Sequence, residues 1–244
     1  MVFYFFDDDY SIWRNFSFVN FWRNEEKFSK KLNFFQLKKT GTTICGLLYK
    51  KGIILGSDTR ATNGDLVCDI NCEKIHFISP NICCGGAGTS ADIENITKLL
   101  SNQLELLRVS TGRESRIKSS ISICQKILYK HKGFLSAALI FGGIDFNGIQ
   151  LYAVYPHGSR EKVPFVSLGS GSLAATSILD NNFKKNLSFN QAFLILQESL
   201  KAGIYNDTGS GGSIDLCIIT KKNIKFLRNK FSVIKNDPNS YFYF

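Results

Sequence analysis

The sequence predicts an α+β fold, a four-layer αββα sandwich in which two antiparallel sheets lie between two helix pairs. Three observations predict it. Apolar segments of the 244-residue chain run in the order strands, two helices, strands, two helices, strands. Short turns join the strands, with the strongest hairpin signal at Asn147-Gly148. Stretches such as Gly52-Ile53-Ile54-Leu55-Gly56 are apolar throughout instead of alternating, as strands covered on both faces require. Two sheets packed face to face, each with a helix pair on its outer face, bury all of these segments together.

The elements follow in order from residue 43. Strands are predicted over 43–49 and 53–58 around the turn Lys50-Lys51-Gly52, which places Asp58 at a strand end. Strands over 75–79 and 82–86 flank Pro80-Asn81, and the second runs into the glycine-rich Gly85-Gly86-Ala87-Gly88, where backbone N–H groups can be exposed. A helix over 90–108 carries Ile93, Ile96, Leu99, Leu100, Leu104 and Leu107 at helical spacing, with Gly112 beyond its end. A second over 114–131 lines up Ile117, Ile121, Cys124, Ile127 and Leu128. Strands over 137–145, 150–155 and 163–168 come next, and the last ends in Gly169-Ser170-Gly171-Ser172. A helix through Ala174, Ala175, Ile178 and Leu179 precedes one opened by the capping box Ser188-x-x-Gln191. Strands over 214–220 and 224–227 close the ordered part.

Composition narrows the function. With 44% hydrophobic and 20% charged residues, the chain is expected to bury one sizeable core. The net charge of +10 raises nucleic acid as a partner, but the cations are scattered and form no stripe interleaved with stacking aromatics, so none is expected. The odd set of seven cysteines reads as reduced thiols used as small apolar fillers. The spacing Cys68-x3-Cys72-x3-His76 lacks the CxxC pairs of a structural zinc site, so neither a metal nor a cofactor is expected. Met1 to Phe6 is apolar but is followed at once by Asp7-Asp8-Asp9, which is not a signal peptide pattern, and no run of about 18 apolar residues predicts a membrane span.

The chemistry starts at a border. The 39 residues before Thr40 are aromatic-rich and irregular, whereas the chain after it is regularly patterned. Cleavage between Gly41 and Thr42 would give one residue both a hydroxyl nucleophile and a free α-amine to serve as its base. An α-amine has an ordinary pKa of about 7.7–8.0, well matched to general-base work near neutral pH.

Five ordered motifs carry a resemblance: Thr40-Gly41-Thr42-Thr43-Ile44-Cys45-Gly46, Gly56-Ser57-Asp58-Thr59-Arg60-Ala61-Thr62, Cys72-Glu73-Lys74-Ile75-His76-Phe77, Gly169-Ser170-Gly171-Ser172 and Asn206-Asp207-x-Gly209-Ser210. Together they resemble a catalytic beta subunit of the eukaryotic 20S proteasome, closest to the beta-2 type with trypsin-like specificity, from about residue 38 to 228. The resemblance implies the N-terminal nucleophile hydrolase fold and three segments: a propeptide or irregular N-terminal segment, 1–41, removed on maturation; a catalytic domain, 42–228; and a divergent C-terminal tail, 229–244. It implies a zymogen that cleaves itself at Gly41–Thr42 and then acts as a threonine endopeptidase. Thr42 is the implied nucleophile, Lys74 the cation beside it, Asp58 the partner of Lys74, and Gly88 the oxyanion donor. Ser170, Asp207 and Ser210 surround the amine.

The resemblance also implies that Thr62, Cys72, Gly86 and Glu94 surround the pocket for the residue preceding the cut, with Asp69 and Asp92 adding negative potential, so cleavage after Arg or Lys is expected. The implied partners are the other beta subunits of a seven-membered ring, the alpha ring and unfolded polypeptide substrates, in cytoplasm and nucleus. A non-catalytic structural beta-type subunit is the alternative. Gly212-Ser213, Cys45 and Ser90 depart mildly from the family pattern.

Overall fold

In the computed structural model, residues 41–64 and 66–232 are described; the predicted propeptide up to residue 40 and the tail beyond 232 lie outside them. The first sheet has the order β10-β1-β2-β11-β12, built from β10 (Phe165–Gly169), β1 (Thr43–Tyr49), β2 (Gly52–Asp58), β11 (Ser213–Thr220) and β12 (Ile224–Ser232). The second has the order β5-β6-β7-β8-β9, from β5 (Ile75–Ser79), β6 (Ile82–Gly88), β7 (Ala137–Asp145), β8 (Gly148–Val154) and β9 (Arg160–Lys162). All their pairings are antiparallel. A separate hairpin joins β3 (Ala61–Asn63) to β4 (Leu66–Asp69). Neither β4 nor β9 has a strand signature in sequence: every residue of both is exposed, and Arg160-Glu161-Lys162 has no apolar position at all.

Three apolar layers hold the four secondary-structure layers together. Between the sheets, Ile44, Ile53, Leu55 and Cys217 meet Cys83, Ile140 and Leu151. On the outer face of the first sheet, Leu47 and Ile54 pack with α3 (Ser172–Asn182) and α4 (Phe189–Asn206) through Leu179, Leu196 and Leu200. On the outer face of the second, Phe141 and Leu139 pack with α1 (Ser90–Thr111) and α2 (Ile117–Lys130) through Leu100, Leu104 and Ile121. Strand β2 explains its own sequence. Ile53 and Leu55 face the opposing sheet, while Ile54 between them faces the helices, so all seven of its residues are buried and none can be polar at no cost. Ser188 and Gln191 make both reciprocal hydrogen bonds of the capping box, which fixes the start of α4. The seven cysteines are unbridged, and burial pushes the Cys45 and Cys124 thiols up to about 12, so these two behave as inert fillers.

Topology gathers the chemistry at one end. Thr42 stands just before β1, Asp58 ends β2, Lys74 precedes β5, and Gly88 ends β6. The antiparallel pairings bring these termini to the same edge of the sandwich, and the β1–β2, β5–β6, β7–β8 and β11–β12 turns go to the opposite end.

Candidate active site

Asp58 and Lys74 form the buried centre. Lys74 Nζ donates to Asp58 Oδ1 at 2.7 Å, and their side chains are 8% and 0% exposed. The carboxylate also accepts from the Thr43 amide at 3.0 Å and, through Oδ2, from the Gly211 amide at 3.0 Å. Burial raises the Asp58 carboxyl above its ordinary value, while the Lys74 charge and the three hydrogen bonds oppose that rise. All three partners are donors, so the ionised carboxylate is the form the site satisfies. A buried ion pair persists only with such extra bonds, because the attraction alone does not repay the desolvation of two charges.

From that anchored position Lys74 reaches the reacting atoms. Its Nζ lies 3.1 Å from Thr42 Oγ1 and 3.2 Å from the Gly41 carbonyl oxygen. The peptide bond between Gly41 and Thr42 is intact, and Thr42 Oγ1 donates to that same carbonyl oxygen at 2.7 Å. The Gly41 amide donates to Thr62 Oγ1 at 3.0 Å, which positions the residue before the bond. A side chain on Gly41 would overlap the Gly209 backbone, so glycine is required here by close approach. Thr42 is 5% and Lys74 is 7% exposed, so water is largely kept from the pair.

Behind the Thr42 nitrogen lies a hydroxyl–carboxylate web. The Thr42 amide donates to Ser170 Oγ at 3.0 Å, and Ser170 Oγ donates to Asp207 Oδ2 at 2.5 Å. Asp207 accepts further bonds from the Ser210 hydroxyl at 2.5 Å and the Ser210 amide at 3.0 Å, both on Oδ2, and from the Gly209 amide at 3.1 Å on Oδ1. The Ser210 hydroxyl is also 2.8 Å from Thr43 Oγ1, so Ser210 reaches the nucleophile's nitrogen only through Asp207 and Ser170. Burial works against ionisation of Asp207, but the hydrogen bonds from Ser170 and Ser210 prevail and hold its carboxyl below the usual value. A depressed carboxylate adds stability that is present above its unfolded pKa of about 3.9 and is lost as pH falls through the folded value. Ser210→Ala is therefore expected to move that acid loss to higher pH, read as an upward shift of the midpoint in a pH series of thermal unfolding curves.

A cavity of about 620 Å³ opens in front of Thr42, and Lys74, Gly88, Thr62, Cys72, Gly86 and Glu94 all line it. Gly88 has φ 135°, and a side chain there would overlap the Ser136 carbonyl oxygen, so its glycine is a backbone requirement. Asp69 and Asp92 do not line the cavity. Asp69 accepts from the Asn71 amide on the exposed β4, and Asp92, in the first turn of α1, accepts from the Ser136 amide.

Some lining residues were given no part in the pocket by the sequence. Cys68 and His76 join the cavity wall, as does Arg60, which donates to the Thr208 carbonyl and packs over Gly211. His76 lies across from Glu94; burial lowers its pKa and the Glu94 charge opposes that. Cys68, Cys72 and His76 thus share one cavity, yet among the described residues no cluster is disposed to hold a metal ion. Gly211, whose amide holds Asp58 across 153 positions of sequence, carried no signal beyond its place one residue after Ser210.

Comparison with known proteins is consistent along the whole patterned region. A protein-family model described as Proteasome subunit matches residues 38–219. Proteasome subunit beta type-7-A of Arabidopsis thaliana is 46% identical over 226 residues, 93% of this chain and 82% of that protein. Proteasome subunit beta type-10 of Bos taurus is 46% identical over 217 residues, 88% of this chain and 80% of its own. The probable proteasome subunit beta type-2 of Schizosaccharomyces pombe is 44% identical over 183 residues, covering 75% and 68%.

Proposed function

Because this chain belongs to the proteasome subunit family, as a beta-type subunit of the 20S core that assembles with other proteasome subunits, we propose that it is one of the catalytic subunits, a threonine endopeptidase of beta-2 type. The observation that carries the reading is the buried Lys74, held by Asp58 at 2.7 Å with its Nζ 3.1 Å from Thr42 Oγ1. A purely structural subunit has no use for a desolvated cation aimed at a threonine hydroxyl.

Maturation comes first. Thr42 Oγ attacks the Gly41 carbonyl carbon, and charge develops on the carbonyl oxygen that Lys74 Nζ already contacts at 3.2 Å. The hydroxyl proton passes to the Thr42 nitrogen as the C–N bond breaks and the acyl group moves from nitrogen to the threonine oxygen, and water hydrolyses that ester, restoring the hydroxyl. Residues up to Gly41 leave, and Thr42 gains a free α-amine; the mature catalytic domain is then 42–228.

Peptide hydrolysis uses the same atoms. The amine, oriented by Ser170 and the Asp207–Ser210 web, takes the hydroxyl proton while Oγ attacks the scissile carbonyl, and the Gly88 N–H stabilises the oxyanion. The amine then protonates the leaving nitrogen, and water releases the acyl product. Lys74 favours the neutral amine by charge repulsion and stabilises the threonine oxygen.

Specificity rests on the cavity. Gly86 lets the Ile93 side chain lie against its backbone, Cys72 and Thr62 form walls, and Glu94 presents a carboxylate, so cleavage after Arg or Lys is the favoured outcome. Glu94→Gln is expected to lower kcat/KM for an Arg-ending reporter roughly 10- to 100-fold, the scale of one charged hydrogen bond. Hydrolysis of a Leu-ending reporter by the same variant is expected to change little. An equal fall for both peptides would remove Glu94 from the specificity pocket. The substrates are unfolded polypeptides, including ubiquitinated ones, and the site of action is the beta ring, a ring of seven flanked by the alpha ring, in cytoplasm and nucleus. Among the described residues no helix is long and apolar enough to cross a membrane.

A further inference from the structure

The end of the sandwich opposite Thr42 has features that the proteolytic reading leaves unused. Two cavities of about 990 and 1240 Å³ open there, sharing Glu114, Asp145 and Phe146 in their walls. The first is lined by Arg113 and Arg116, the second by Lys51, Lys221 and Lys222. All five cations are exposed, and among the described residues none of them is in an ion pair. Two carboxylates, Glu114 and Asp145, offset them only in part. Asp145 keeps its charge while accepting from the Asn147 amide at 2.8 Å, the Gln150 side chain at 2.8 Å and the Ile117 amide at 3.3 Å, so two negative groups face five positive ones.

Phe146 supplies the apolar element: its ring is 70% exposed, with the Arg116 guanidinium 4.6 Å from its centroid. A large exposed aromatic under a cation that is in no ion pair, between two concavities that together carry five cations and two carboxylates, matches the composition of a protein-docking hot spot.

We propose that this end is a docking surface for an acidic polypeptide segment of a partner protein, one that carries a large apolar side chain among its carboxylates. The carboxylates meet Lys221, Lys222 and Arg116, and the apolar side chain packs on Phe146. The net positive field of five cations over two carboxylates raises the encounter rate and disfavours basic segments, and it is screened by salt. An extended acidic peptide suits the surface better than nucleic acid does, because only Phe146 and Phe189 of the two walls are exposed aromatics and Arg116 lies over one face of Phe146, so no run of stacking platforms exists among the described residues.

The test is fluorescence anisotropy with a labelled peptide of alternating Asp and Glu around one Phe, titrated with the full chain in its native particle at 50 mM and at 500 mM salt. The double charge reversal Lys221→Glu/Lys222→Glu is expected to weaken binding at least tenfold at low salt, Phe146→Ala to weaken it several-fold, and high salt to weaken it in the parent. Unchanged unfolding midpoints and unchanged reporter hydrolysis in these variants establish that they are folded. Thr42→Ala is expected to bind the peptide as the parent does, so the outcome is separate from the proteolytic reading. Binding unaffected by the charge reversal would overturn the proposal. So would a single-stranded RNA of equal charge that binds more tightly and is lost in the same variants, or absence of binding because a neighbouring subunit covers the surface.

Discussion

Thr42→Ala is expected to leave the subunit untrimmed and to abolish its hydrolysis of an Arg-ending reporter, a loss on the order of 10⁶-fold if the nucleophile behaves as the serine of a serine protease does. Both effects have one cause, since the same oxygen would open the Gly41–Thr42 bond and attack substrate. The folded state is expected to survive. Thr42 Oγ1 contributes one bond to the Gly41 carbonyl and accepts one from Lys74, and Lys74 keeps Asp58 and the Gly41 carbonyl as partners without it. Mass analysis and reporter kinetics on one purified particle decide the matter, and trimming or turnover that persists in the variant would count against Thr42 as nucleophile.

Lys74→Ala is expected to be worse, because it removes stability as well as activity. It leaves Asp58, which has 0% exposure, with two amide donors and no cation, and an uncompensated buried charge costs about 3–5 kcal/mol. The pH dependence distinguishes this from simple loss of packing. Burial already raises the Asp58 carboxyl, and Lys74 is the strongest influence opposing it, so the variant carries a carboxyl raised further. A raised carboxyl contributes stability that is complete below the unfolded pKa of about 3.9 and is lost as pH rises through the folded value. The stability deficit of Lys74→Ala should therefore grow between about pH 4 and neutrality. The double variant Asp58→Asn/Lys74→Met should recover part of it while remaining inactive. A deficit independent of pH, or a double variant no more stable than the single one, would mean that the pair is not electrostatically coupled as described.

The sequence made some of this architecture visible and hid the rest for physical reasons. Strands such as β2 and helices such as α4 are legible because burial on both faces, or a capping box, leaves a local mark. The β3–β4 hairpin and β9 are not, since exposed residues at a sheet margin are under no pressure to alternate. In the site, Thr42, Asp58 and Lys74 stand in recognisable motifs, and the geometry gathers them within hydrogen-bonding reach. The bond from the Gly41 amide to Thr62 and the hold of Gly211 on Asp58 join residues 21 and 153 positions apart, and no local pattern encodes them. Asp69 and Asp92 illustrate the converse. Nearness in sequence to pocket residues does not fix direction: backbone amides of Asn71 and Ser136 claim their carboxylates away from the cavity wall, and Asp69 acts there only through its charge on Cys72.

The account depends on Thr42 becoming the first residue of the working subunit. Intact mass measurement of the subunit taken from the assembled, active particle tests this directly. The predicted result is a chain that begins at Thr42, with nothing of Gly41 or the residues before it; a subunit that keeps Gly41 in a particle able to cleave after Arg would contradict it.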